Sequence, residues 1–298
     1  TLTPRQRAIE ALERRRPAGP VPTCELAFDL YEGWLGKPIT HLMRPDQGTP
    51  AERDRARRQY VRDTVEVYRQ MDHCIITHWM GDADEEAALL STYRDEIGDE
   101  FMLGFPADGT FGIPNGTDML GFVSHLADDP QGMHDEARRN IDRALAYAER
   151  MRNAGSDVVW MGADYAMNQG PFFSPAMFAE FVAPYLREVI AGFKELGLYV
   201  IKHSDGDLNP IMDQIVDARP HAIHSLDAIA HMDIRQIKAK YGDRVALIGN
   251  VPHGPLQMKE WDRVREAAIY CLTYGGVEQG GYLYSTSNAV FGGPLTGI

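Results

Sequence analysis

The sequence predicts a single (β/α)8 TIM barrel over residues 1–298, with a leading N-terminal helix and a hairpin inserted after the second strand. Three observations predict it. Eight apolar runs of strand length can be counted, and most are separated by helical patterns long enough for a crossover. No linker, repeat or low-complexity tract divides the chain. The polar residues at the ends of those runs would all fall on one face of such a barrel.

Taken in order, Thr3 before Pro4 is a capping hydroxyl with proline in the first turn, so a helix starts there with Ile9 and Leu12 on one side. Pro20 to Phe28 reads as the first strand, with prolines at its start and Glu25 within its polar and apolar alternation. Leu30 to Leu35 gives a helical turn. Pro50 to Met71 is a longer helix burying Tyr60, Val61, Val65, Val67 and Tyr68. His73 to Trp79 is the second strand. Ser91 to Phe105 holds short apolar pieces with Gly98 between them and suits the projecting hairpin, and Gly109 to Asn115 supplies the third strand. Helices follow over Asp118 to Leu126 and Gly132 to Asn153, the second stopped by Gly155.

Asp157 to Met161 is the fourth strand, opening onto Gly162-Ala-Asp164-Tyr165. Ser174-Pro175 begins a helix that runs through Leu196. The fifth strand starts at Leu198 and ends abruptly in His203-Ser-Asp205-Gly206. Beyond it come a helix over Leu208 to Ala218, a strand over Ala222 to Leu226 ending at Asp227, and a helix over Ile234 to Lys240. Val245 to Gly249 is a strand ending at Asn250, Glu260 to Tyr274 is a helix, and Gly281 to Tyr284 is a strand running into Ser285-Thr-Ser287-Asn288. No helical pattern follows the eighth strand, so the last barrel helix is expected to be missing.

Side chains alternate along a strand, so His203 and Asp205 project the same way as a polar fork at a strand end. Glu25, His78, Asp164, Asp227, Asn250, Ser287 and Asn288 are placed at or near other carboxyl ends, where barrel active sites are built. Singly, Asp227 and Asn250 fit turn caps and His78 fits a core histidine. Together on one rim they point to a site. His203 and Asp205 with one of Glu25, Asp164 or His78 offer nitrogen and oxygen donors that suit zinc with one position open for substrate. The expected catalytic residues are His203, Asp205, Asp164 and Glu25, and the expected metal ligands are His203, Asp205 and Glu25. His78, Trp79, Tyr165, Asp227, Asn250 and Asn288 are expected to contact substrate, with Trp160 and Phe172 as further walls.

Composition excludes several classes. A net charge of −13 argues against a nucleic-acid partner, which needs a concentrated basic face. No apolar run approaches the roughly 20 residues of a membrane span, and the first residues lack a signal-peptide centre, so a cytoplasmic location is expected. Cys24, Cys74 and Cys271 are an odd number at wide spacing, which fits reduced thiols. There is no GxGxxG after a strand, no phosphate-loop lysine and no GxSxG.

Gly162-Ala-Asp164, Gln169-Gly-Pro-Phe-Phe-Ser-Pro175, Phe181-Val-Ala-Pro-Tyr185, the fork and its continuation to Pro210, Met232-Asp233 through Asp243, and Leu247-Ile-Gly-Asn250 resemble the uroporphyrinogen decarboxylase superfamily. The resemblance implies one barrel, often dimeric, with its cleft at the strand carboxyl ends. Its tetrapyrrole decarboxylases resemble one another in an arginine-rich loop after the first strand, which grips substrate carboxylates. This chain reads Cys24-Glu-Leu-Ala-Phe-Asp29 there, with no arginine until Arg44, which is the wrong sign for a polycarboxylate. The other branch comprises corrinoid-dependent methyltransferases. Thiol-acting members look like HxC plus a later cysteine around zinc; the matching positions here are Asp205 and Ser287-Asn288. Asp95-Glu-Ile-Gly98 resembles the DEWG-like segment of methyltransferase members. The resemblance therefore implies a methyltransferase of O- or N-demethylase type, with zinc at the fork, a small methylated donor and a corrinoid (cobalamin) carried by a partner protein. A decarboxylase of a tetrapyrrole or aromatic carboxylate is the alternative, and a non-catalytic binding barrel the third reading.

Overall fold

A computed structural model describes residues 2–78 and 81–290. The strands are β1 (Ile75–Thr77), β2 (Met102–Pro106), β3 (Val158–Met161), β4 (Ala166–Met167), β5 (Gly170–Pro171), β6 (Tyr199–Ser204), β7 (Ala222–Ser225), β8 (Ala246–Val251) and β9 (Tyr282–Thr286). Seven of them form one sheet in the order β1-β2-β3-β6-β7-β8-β9, every pair parallel, while β4 and β5 make a small antiparallel ribbon.

The first expected strand closes the ring in reduced form. Thr23 bridges His73 beside β1 and Tyr284 on β9, both in parallel. The Cys74 N–H donates to Thr23 O (2.8 Å) and the Tyr284 N–H to Pro22 O (2.9 Å). Phe28 bridges Val290 in the same sense, and Pro20 and Pro22 have no N–H to give, so the pairing is reduced to isolated bridges where the sequence suggested a run from 20 to 28. Parallel pairing all round puts every strand's carboxyl end on one rim.

Because strands in such a sheet are buried on both faces, alternation sorts their side chains into two apolar bodies. Ile75, Met102, Val158, Trp160, Ile201, Ala222, Ile248 and Leu283 fill the barrel together with Cys24, and Ala8, Ala11 and Leu12 of the leading helix Pro4–Leu12 join them. Ile76, Leu103, Val159, Val200, Ile223 and Leu247 face outward against the helices. Each such buried aliphatic side chain contributes on the order of 1.5–3 kcal/mol of transfer free energy. No helix among the described residues is long and apolar enough to cross a membrane.

The hairpin after the second strand is not there. Ser91 to Phe105 divides into the helix Ala83–Ile97, capped by the Asp82 carboxylate, and β2. Leu89, Leu90, Tyr93 and Ile97 carry helical spacing and are buried. Gly98, at φ +53°, stops that helix instead of turning a hairpin. The third strand is consequently β2, and 109–115 is loop. Asp95-Glu-Ile-Gly98 becomes the last helical turn before β2, at the amino end of the barrel and away from the fork. The helix expected from Ser174 through Leu196 is also two, Pro175–Phe181 and Ala183–Glu195, because Pro184 cannot donate into the preceding turn.

Candidate functional site

Alternation at the end of β6 turns His203 into the barrel and its neighbour Lys202 out of it. The buried Lys202 ammonium donates to Ala163 O (2.7 Å), pairs with Asp108 Oδ2 (3.1 Å) and lies 4.1 Å above the Tyr165 ring. Burial pulls its pKa down, and Asp108 opposes that. Asp108 also accepts the Ala163 N–H (3.0 Å), and the Thr110 hydroxyl meets that of Tyr165 at 2.6 Å. This network holds the loop after β3 from behind. From the other side the Tyr165 N–H donates to Ser204 Oγ (2.9 Å) and the Asp207 N–H to Met167 O (2.9 Å). Gly206 lets the two loops touch: its φ is +85°, and a Cβ there would lie 2.3 Å from Ala166 O.

Held in this way, Asp164 reaches the fork. One ligating atom each from Asp164, His203 and Asp205 falls within 4.8 Å of the others. His203 Nε2 stands 3.7 Å from Asp164 Oδ1 and 3.9 Å from Asp205 Oδ1. Asp164 Oδ1 accepts the Asp205 N–H (2.9 Å), Asp205 Oδ1 accepts the Ser225 hydroxyl (2.6 Å), and Asp205 Oδ2 accepts Asn288 Nδ2 (2.6 Å). Burial pushes the Asp205 carboxyl up to about 6, the charges of Asp164 and Asp227 add to that, and Ser225 and Asn288 resist it. Burial drives the His203 imidazole down to about 3, so the ring is neutral. Its Nδ1 meets His224 Nδ1 at 2.8 Å.

The third group beside the fork is thus Asp164, while the expected ligand Glu25 lies outside this set of converging atoms. Glu25 is half-buried and accepts hydrogen bonds from the Thr286 hydroxyl (2.5 Å), the Ser285 hydroxyl (3.2 Å) and the Thr286 N–H (3.3 Å). Burial lifts its carboxyl to about 7 against those donors. A carboxyl raised in the fold is stabilising below its unfolded pKa, and that stability is lost as pH rises through 7. Glu25→Gln is therefore expected to flatten the fall in unfolding free energy between mildly acidic pH and pH 8, as followed by urea denaturation. An unchanged slope would refute the burial account.

His78 and Asn288 share a pocket of about 420 Å³ at the rim, walled by Leu26, Phe28, Tyr31 and Tyr60. His78 stacks on Tyr93 (4.6 Å between ring centres), and its buried Nε2 has no hydrogen-bond partner. Among the described residues no lysine or arginine lines this pocket, and Asp29 does. Trp79 lies outside the described residues. Three other expected contacts have structural partners: the buried Tyr165 faces the Lys202 network, Asn250 donates to Leu226 O and Met232 O (2.6 and 3.0 Å), and Asp227 accepts the Ile229 N–H (3.2 Å). Trp160 sits inside the barrel edge-on to His224, and Phe172 packs on Phe122 and Phe173.

Sequence reasoning missed His224, Ser225 and Asp108. For the first two a signal existed, since both β6 and β7 end in His-Ser, and His203 is in register with His224. Asp108 carried none, as it lies in a loop distant in sequence from Lys202.

The comparisons with known proteins follow this geometry. The family described as Uroporphyrinogen decarboxylase (URO-D) matches residues 114–292, more than half of the chain. The chain belongs to the uroporphyrinogen decarboxylase family. The matched region contains Asp164, His203, Asp205, His224 and Asn288 but not Glu25 or His78, so the cluster lies within the match while part of the pocket lies outside it. Among solved structures, a methyltransferase from Methanosarcina mazei superposes with a TM-score of 0.72 at 15% identity, covering 97% of this chain and 94% of that one. The two share a fold over nearly their whole lengths. D-psicose 3-epimerase follows at a TM-score of 0.43 and 9% identity, covering 78% of this chain and 81% of that one. A putative deoxyribose-phosphate aldolase from Coccidioides immitis also gives 0.43 and 9%, with 96% and 95% covered. No curated protein matches the sequence. Within the uroporphyrinogen decarboxylase family this chain has an uncharged or acidic pocket, and the lysine nearest the cluster, Lys202, is spent on Asp108 behind the strand.

Proposed function

We propose that the protein is a methyltransferase that moves a methyl group from a small methylated donor to the cobalt of a corrinoid carried by a separate protein. A divalent cation, zinc in the first instance, would be held by Asp164, His203 and Asp205. The observation that carries this reading is the cluster itself. Two carboxylates and an imidazole nitrogen converge there; the Asp205 N–H, Ser225 and Asn288 answer part of the negative charge, and a cation in the notch would answer the rest. One nitrogen and two oxygens suit zinc or a harder divalent ion; Cys24, Cys74 and Cys271 are buried and stand outside the cluster, so no thiolate belongs to the set. A cation bound there would act as a Lewis acid on the heteroatom that loses its methyl group.

The chain's own groups do the rest. In methyl transfer to cobalt(I) the carbon–heteroatom bond breaks, and the heteroatom keeps the electron pair and needs a proton or positive charge. Asp205, steadied by Ser225 and Asn288, would hold the cation beside that atom, so that the cation supplies the positive charge. The neighbouring pocket, apolar and without a cation, favours an ether, alcohol or amine over the polycarboxylate the family name suggests. Leu120, Val123, Met167, Met177, Ile229 and Met258 are exposed, and all lie on segments that follow strand carboxyl ends. Ile269, Tyr270, Leu272 and Tyr274 are exposed as well, on the helix Trp261–Tyr274 that leads into β9. An apolar rim around the mouth is the surface a docking corrinoid protein would cover.

The test supplies the zinc-loaded protein with a corrinoid protein reduced to cobalt(I) and, in turn, 2-methoxyphenol, methanol and methylamine. Loss of the cobalt(I) absorption with one donor, suppressed by a chelator, is the expected result. No spectral change with any donor, together with carbon dioxide release from a porphyrinogen, would replace this reading by decarboxylation.

A further inference from the structure

We propose that His224 is a positioning residue that keeps the proton of His203 on Nδ1, so that the Nε2 lone pair of His203 always faces the notch between Asp164 and Asp205. The inference follows from hydrogen-bond bookkeeping along β6, β7 and β9. His224 Nε2 lies 3.2 Å from the Thr286 carbonyl oxygen, which can only accept. The Ser285 hydroxyl, 3.5 Å from the same nitrogen and hydrogen-bonded to Glu25, can accept there too. His224 Nε2 must therefore carry the hydrogen. A neutral imidazole has one N–H, which leaves His224 Nδ1 bare and able only to accept. That nitrogen is 2.8 Å from His203 Nδ1, so His203 donates through Nδ1 and its Nε2 is left without a proton.

Both rings are buried, where no water reaches a charged imidazole. The device is laid down by register: His203 and His224 are paired across β6 and β7, and Thr286 ends the strand beyond β8. Without His224, the His203 proton would be free to move to Nε2, where two carboxylate oxygens at 3.7 and 3.9 Å would attract it and block any cation. This role rests on the cation reading for its purpose, but the tautomer can be read without a cation.

The experiment is a long-range 15N–1H correlation spectrum of the metal-free protein labelled at histidine, joined to zinc titration against a chromophoric chelator. In the native protein, His203 is expected to show a protonated Nδ1 and a bare Nε2, and His224 the reverse. His224→Phe is expected to mix the His203 tautomers and weaken zinc binding by about 10- to 100-fold, the range usual for a lost outer partner. His224→Asn, whose side-chain oxygen can accept from Nδ1, should restore a single tautomer and most of the affinity. A protonated His203 Nε2 in the native protein overturns the proposal, as does a folded His224→Phe protein with unaltered tautomer. If the native protein has the expected tautomer yet takes up no zinc, the positioning role stands and the cation reading falls.

Discussion

Asp205→Asn is expected to stabilise the metal-free protein while abolishing its zinc binding. The two effects have one cause. Asp205 is a carboxylate taken out of water beside Asp164 and Asp227, with its folded pKa raised from 3.8 to about 6. A carboxyl raised in the fold contributes its stability below the unfolded pKa, and that contribution is lost as pH climbs through the folded one. At pH 7 the charged form is therefore a net burden. Asparagine has the same shape and no charge, and its amide N–H can point at Asp164. Since solvent reaches the Asp205 side chain, 30% exposed, the full shift is not recovered, and the gain is put at about 1–2 kcal/mol. The slope of stability against pH between 4 and 6 should shrink with it. The same substitution removes one of three ligands, and zinc affinity should drop by more than about 100-fold, beyond the usual effect of an outer partner. Urea denaturation across pH, with and without zinc, reads both. A variant less stable than the native metal-free protein at pH 7 would mean that the cluster is not strained by its own charges.

Lys202→Met should be the most damaging single change behind the site. Lys202 is 1% exposed in its side chain and pairs with Asp108, which is itself largely covered. Removing one member of a buried ion pair leaves the other charged and without its partner, which costs about 3–5 kcal/mol. Methionine fills most of the volume, so the loss reports on charge more than on a cavity. Asp108→Asn added to the variant should recover a large part, because a neutral pair in the same space carries no stranded charge. The Ala163 carbonyl loses its donor as well, and the loop bearing Asp164 loses its backing, so zinc binding should weaken although Lys202 faces away from the notch. A Lys202→Met protein within about 1 kcal/mol of native would refute the ion-pair account.

The barrel was legible because its signals are local. Alternation over 199–204 and 222–225, the proline-started helices at Pro4 and Pro175, and the strand ends at His203 and Asp205 can all be read within a few residues. The helix Ala83–Ile97 was misread because Gly98 cut its apolar pattern where a hairpin turn and a helix stop look alike. Site residues divide along the same line. His203 and Asp205 share a face by strand geometry. Choosing Asp164 over Glu25 as their companion needed the approach of two loops at Gly206, which is separated in sequence from the loop it touches.

What the sequence determined by itself is the barrel class, the alternation of strands and helices from residue 157 onward, and the lack of arginine between Glu25 and Lys37. These are properties of neighbouring residues, and hydrophobic period and backbone chemistry enforce them wherever the segment lies. Only the tertiary structure decided which acid meets the fork, that two imidazoles on neighbouring strands meet through their Nδ1 atoms, and that Lys202 is paired from a distant loop. Such choices depend on differences of an ångström or two between groups far apart in the chain, set by how the strands register and how closely their loops pack, and no local pattern encodes that distance.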